Sequence, residues 1–185
     1  MTIYSELIAG CWAVFLVYWF VTGIGAKRSA KGGGAHVFLR ALIATAVVLF
    51  MRSKAKVEPG SYATFASPAV RMLGVVLCAV GIAYAVWARR HIGKNWGMPM
   101  SVKEQPQLVR SGPYSRTRHP IYTGVLLALL GNSLGLGSRW LVATGVALLY
   151  LVYAAHKEED SMLDALPKEY SDYQRQTKMI IPFVL

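Results

Sequence analysis

The chain has 185 residues, 55 % hydrophobic and 16 % charged, whereas an ordinary soluble domain carries about 25 % charged residues. Its formal net charge is +11, but the Lys and Arg residues lie mostly in gaps between long apolar blocks. Membrane topology and anionic headgroups account for that charge, and a nucleic-acid partner is excluded. One domain is expected at this length. The two cysteines, Cys11 and Cys78, lie inside apolar blocks without a CxxC or metal-ligand spacing, so they read as small buried hydrophobes.

Residues 1–10 hold no Lys or Arg. The first apolar block, 4–24, therefore reads as a retained span rather than a signal peptide. A second block covers 36–51 and a third 67–88. A polar stretch with Pro and Gly follows over 89–118, then apolar blocks at 120–136 and 139–155. A helix needs about 20 apolar residues to cross the hydrocarbon, so the expectation is five spans, the second slightly short. The tail, 156–185, is polar and helix-like as far as Pro167. With the N-terminus outside, fifteen Lys and Arg face the cytoplasm and five face outward, the outer set including the Arg52, Lys54 and Lys56 cluster. The fourth and fifth blocks, joined through residues 131–138, form a helical hairpin. The polar stretch before it and the tail after it must then meet at one face.

Two segments meet there. Residues 108–124 read Leu-Val-Arg-Ser-Gly-Pro-Tyr-Ser-Arg-Thr-Arg-His-Pro-Ile-Tyr-Thr-Gly. Gly112-Pro113 signals a turn. Pro120 suits a first helical turn, which puts Arg118 and His119 at a helix N-terminus, where an anion is favoured. Either they anchor the helix at the headgroups or they receive a carboxylate or phosphate. The second segment is Glu158-Glu159-Asp160. These acids either pair with Arg116, Arg118 or Lys157 and with water, or grip a zwitterion opposite the basic helix start.

Residues 108–124, the Glu158-Glu159 pair, Tyr170, Tyr173 and Ile181-Pro182-Phe183 together resemble the isoprenylcysteine carboxyl methyltransferases and their phospholipid methyltransferase relatives. The resemblance covers about residues 99–183. It implies an all-α polytopic membrane helix bundle of about five transmembrane helices. Three spans would lie in residues 1–98, and a catalytic region with hairpin and tail in 99–185. The site would face the cytoplasm and bind S-adenosylmethionine. The implied cofactor contacts are Gln107, Leu108 and Val109, Tyr114 of the turn, His119, Pro120, Ile121 and Tyr122 of the helix start, and Glu158. Glu159 and Arg118 would orient them. Pro106 stands where the family often has His, and Ala154 where the eukaryotic prenylcysteine enzymes have Arg near the substrate. The Arg-His-Pro-x-Tyr-x-Gly element is shared in part by NADPH-dependent membrane sterol reductases.

Methyl transfer is an in-line displacement, so alignment of the reactants supplies much of the rate, up to roughly 7–11 kcal/mol. A carboxylate acceptor needs no base; an amine acceptor does, and Glu159 or His156 could serve. The expected partners are a lipophilic or lipidated acceptor entering from the bilayer, and membrane lipids. No metal-ligand cluster and no Gly-x-Gly-x-x-Gly loop occurs in the chain. Trp87, Trp96, Trp140 and His91 read as interfacial residues, and Gly131, Gly135 and Gly145 as close helix contacts. The competing readings are a sterol-type reductase and a non-catalytic membrane scaffold.

Overall fold

A computed structural model describes residues 3–23, 29–31, 67–96, 102–103 and 107–182. The described residues hold five α-helices: α1 (Ile3–Gly23), α2 (Pro68–Ile92), α3 (Pro120–Leu136), α4 (Arg139–Ala165) and α5 (Pro167–Gln176). Short 3-10 turns occupy Gly93–Asn95 and Gly112–Ser115. Strands β1 (Ser29–Lys31) and β2 (Val102–Lys103) pair antiparallel and form the sheet found among the described residues. The segments 3–22, 68–92 and 139–165 are long and apolar enough to cross a membrane. α3, with 17 residues, reaches roughly 25 Å against a hydrocarbon core of about 30 Å. The expected span at 36–51 lies outside the described residues.

The central packing is α2 against α3, and small residues make it possible. Gly74, Cys78, Gly81 and Ala85 repeat at intervals of four, three and four along α2. Gly124, Ala128, Gly131 and Gly135 repeat identically along α3. A Cβ on Gly81 would lie 2.5 Å from the Gly124 carbonyl oxygen, and one on Gly74 would lie 2.6 Å from the Gly131 oxygen. The backbones therefore touch, running antiparallel. In lipid, where no hydrophobic force drives helices together, such close dispersion contact holds them. Gly131 and Gly135 thus pack as expected. Gly145 does not: nothing lies within 4 Å of its Cβ position, because it falls on the open side of α4.

α1 covers the pair through Ile8, which is buried with Val75, Cys78, Ile82 and Ala128. Trp12 Nε1 donates to Asn132 Oδ1 at 3.1 Å, satisfying a buried amide of α3. At the other end of α1, Arg89 Nη2 donates to the Thr22 carbonyl at 2.9 Å while its guanidinium lies 4.4 Å from the Trp96 ring centroid. Trp96 is thereby buried and is not the interfacial residue expected, whereas Trp87 is exposed.

The hairpin closes where the apolar blocks meet, with only Gly137 and Ser138 between α3 and α4. Gly137 has φ +125°, a conformation costly for other residues, and ends α3. Ser133 and Thr144 hydroxyls, 3.3 Å apart, tie the two helices. α4 runs on past the apolar block through Glu158 and Glu159 to Ala165. The helix stops just before Pro167, as expected, and Pro167 then starts α5 at a first-turn position.

Candidate active site

Pro120 opens α3, and the residue before a proline avoids helical geometry. His119 accordingly has φ −122° and ψ 59°. After the turn at Arg116, residues 117–119 run beside the tail and spend backbone bonds on it. Arg118 N donates to the Lys178 carbonyl at 2.8 Å and His119 N to the Met179 carbonyl at 2.9 Å. Thr117 and Lys178 form a parallel bridge. Thr123 Oγ1 reaches the Ile180 carbonyl, and Ile180 is buried among Tyr122, Leu126, Leu151, Ala154 and Ala155. The polar stretch and the tail therefore do meet, and the tail is wedged between α3 and α4.

The side chains at this junction form one ionic network. Arg118 grips Glu159 with two donors, Nε to Oε1 at 2.7 Å and Nη2 to Oε2 at 3.3 Å. Its Nη1 turns to the carbonyls of Gln174 and Thr177. Gln174 Nε2 donates to Glu159 Oε2 at 2.7 Å. His119 bridges both acids, with Nε2 3.2 Å from Glu159 Oε1 and Nδ1 3.4 Å from Glu158 Oε2. Tyr122 donates its hydroxyl to Glu158 Oε1 and stacks on His119, centroids 5.2 Å apart. The anion expected at the helix start is thus supplied by the chain itself, because α4 brings Glu159 to the basic pair. Of the two carboxylates, Glu159 is 7 % exposed and Glu158 is 26 % exposed, so Glu158 is the one a ligand can approach.

Burial opposes a charge on His119, but the hydrogen bonds it donates to both carboxylates outweigh it and hold its pKa above the ordinary imidazole value. An imidazole facing a carboxylate at each nitrogen is a double donor, the protonated form. Burial, reinforced by Tyr173 and Glu158, pushes the Tyr114 phenol far up, so it stays neutral. Tyr173 donates to the Tyr114 carbonyl at 2.6 Å, joining α5 to the turn.

The structure gathers Arg118, His119, Tyr122, Glu158 and Glu159 into this network, with Pro120 at its base. Tyr114 sits beside it under Tyr173. Ile121 packs on the neighbouring core cluster. Gln107 accepts from Asn95 at 3.2 Å, and Leu108 and Val109 are half-buried along the approach to the turn. His156 stays apart: it is exposed on α4, and its Nδ1 lies 2.8 Å from the Val152 carbonyl one turn back. Sequence reasoning missed Gln174, which sits among the polar residues of α5 with no local signal of its role.

The arrangement as a whole is that of an intramembrane methyltransferase fold. The chain superposes on the eukaryotic intramembrane Ras methyltransferase, isoprenylcysteine carboxyl methyltransferase, with a TM-score of 0.59, over 84 % of this chain and 55 % of that one, at 22 % identity. Residues 69–169 match the phospholipid methyltransferase family, and the chain belongs to that family. It is 34 % identical to the cobalt-zinc-cadmium resistance protein CzcN of Cupriavidus metallidurans over 123 residues, 64 % of this chain and 52 % of that protein. It is 30 % identical to a methanethiol S-methyltransferase of a Pseudomonas species over 81 residues, 44 % of this chain and 31 % of that one. The chain spans about half the length of the resistance protein and less of the thiol enzyme.

Proposed function

We propose that this protein transfers a methyl group from S-adenosylmethionine to a lipophilic acceptor held in the bilayer. The observation that carries the reading is Glu158, a half-open carboxylate held by Tyr122 and His119 at the end of a membrane helix. Membership of the phospholipid methyltransferase family supports it.

The donor set fits such a cofactor. Glu158 can meet its ammonium group, and Gln107, Leu108, Val109, Tyr114, His119, Pro120, Ile121 and Tyr122 would hold the rest. When bound, S-adenosylmethionine supplies an electrophilic methyl group on a sulfonium. The chain's own residues position and exclude water. Tyr122 and His119 fix both oxygens of Glu158, so its orientation is set before a ligand arrives. Arg118 and Gln174 lock Glu159, which in turn holds His119. Glu159 is thus committed to orienting its neighbours. Ala154, fully buried, offers no cation for an acceptor carboxylate. That favours a lipid headgroup over a prenylcysteine-type carboxylate as acceptor. The excess of Lys and Arg on the site's side of the chain supports a cytoplasmic orientation.

Thermal shift in detergent tests the reading. S-adenosylmethionine or S-adenosylhomocysteine should raise the melting midpoint and NADPH should not. Stabilisation by NADPH alone would establish a reductase, and silence towards all three a scaffold. Glu158→Ala should abolish the response to S-adenosylmethionine; a normal response would remove Glu158 from the site. Labelled-methyl transfer into a total lipid extract then identifies the acceptor.

A further inference from the structure

We propose that His91 is a positioning residue that seats the cofactor side of the site, an inference that rests on the methyltransferase reading. His91 lies in the last turn of α2, outside the ionic network. Its Nε2 is 2.8 Å from Ser111 Oγ. Its ring also lies flat against the turn: a Cβ on Gly112 would sit 2.7 Å from His91 Cε1 and 2.9 Å from each ring nitrogen. Gly112 itself has φ +60°, a conformation that favours glycine there and leaves room for the ring. The imidazole then runs nearly parallel to the Tyr114 ring, with centroids 6.4 Å apart and planes 24° apart.

Pro113 and Tyr114 bury one side of the turn, and its polar edge is held by side-chain bonds. Its local bonds, Tyr114 N to the Ser111 carbonyl at 3.2 Å and Ser115 Oγ to the Gly112 carbonyl at 2.7 Å, close it on itself without tying it to the bundle. From the α5 side, Tyr173 holds the Tyr114 carbonyl and Arg110 reaches the Glu169 carbonyl. From the α2 side, Asn95 holds Gln107 and His91 holds Ser111. The base of His91 is itself rigid, because Arg89 ties the end of α2 to the Gly93 carbonyl at 2.8 Å and to the Thr22 carbonyl at 2.9 Å. Residues 107–114 are the stretch to which the cofactor contacts are assigned. His91 therefore fixes the distance between that stretch and the α2–α3 core.

An exposed hydrogen bond adds little to global stability, so binding should report the role where melting does not. The test titrates S-adenosylhomocysteine into the purified full-length chain and follows amide exchange in the ligand-free protein. His91→Ala should weaken binding about three- to tenfold, the factor for one lost hydrogen bond. It should leave the ligand-free melting midpoint within about 3 °C and speed exchange across residues 108–115. His91→Gln, which restores a donor near Ser111, should recover most of the affinity. Ser111→Ala should reproduce the loss, and the double variant should be no worse than either single one. Unchanged binding and unchanged exchange in His91→Ala would overturn the assignment, as would additive losses in the double variant. A wild-type chain that binds neither S-adenosylhomocysteine nor S-adenosylmethionine overturns the proposed function and this inference with it. A wild type that binds while His91→Ala matches it sinks His91 alone.

Discussion

Glu159 and Glu158 are adjacent in the chain yet do different work, and the difference comes from what each reaches. Glu159 points into Arg118, His119 and Gln174 and is almost closed to water. Removing one partner of a buried ion pair strands the other charge, at about 3–5 kcal/mol. Arg118→Ala and Glu159→Ala should each lower the melting midpoint sharply, and Arg118→Met combined with Glu159→Leu should cost less than either. A single variant as stable as wild type would show that the pair is not a structural tie. His119 adds a pH dependence. Its folded pKa is raised above the free value of about 6.5. Its ionic contribution is complete below about pH 6.5 and is lost as the pH climbs through the folded pKa. The melting midpoint should therefore fall on the alkaline side, and His119→Asn should flatten that fall; an unaltered slope would argue against the imidazolium. The residue types of this network stood in the sequence as a basic helix start and an acid pair. Their division of labour did not, because it depends on Gln174 and the tail carbonyls arriving from elsewhere.

Among the described helices, three of the five apolar blocks are long enough to span, the fourth forms the shorter α3, and glycine spacing revealed only part of the packing. Gly131 and Gly135 could be read as contact residues, but their partners Gly74 and Cys78 could not be assigned without knowing that α2 and α3 run antiparallel with matched repeats. Gly145 has the same composition signal and no neighbour, because a single sequence does not say which face of α4 is covered. The two classes should separate in experiment. Gly81→Leu should prevent α2–α3 approach and yield aggregated protein on size exclusion in detergent, whereas Gly145→Ala should elute and melt as wild type. A monodisperse, stable Gly81→Leu protein would refute the close packing. The extent of α4 was legible from a different signal than hydropathy. The apolar block ends near residue 155, but the tail reads as helical as far as Pro167, and the helix continues to Ala165, which carries the acids to His119.

At the scale of the whole molecule, the proposed orientation, with the ionic network towards the cytoplasm, follows the excess of Lys and Arg on that side and can be tested directly. Cysteine at position 178 should then react with a membrane-impermeant maleimide only from the cytoplasmic side, and cysteine at position 71 only from the other. The reverse pattern would invert the topology. The convergence of residues 108–119 with the tail was legible from the hairpin alone, since two antiparallel helices must return the chain to its starting face. The parallel bridge between Thr117 and Lys178 and the wedging of Ile180 were not. That wedge has a consequence for biosynthesis. The partners of Arg118 and His119 include carbonyls at 177, 178 and 179, so the network cannot close while those residues are still inside the ribosome. The helices can enter the membrane one after another, but the network of a nascent chain stays open until residues 177–179 have emerged, and a chain that stops before them leaves an exposed basic helix start for the quality-control proteases of the membrane to find.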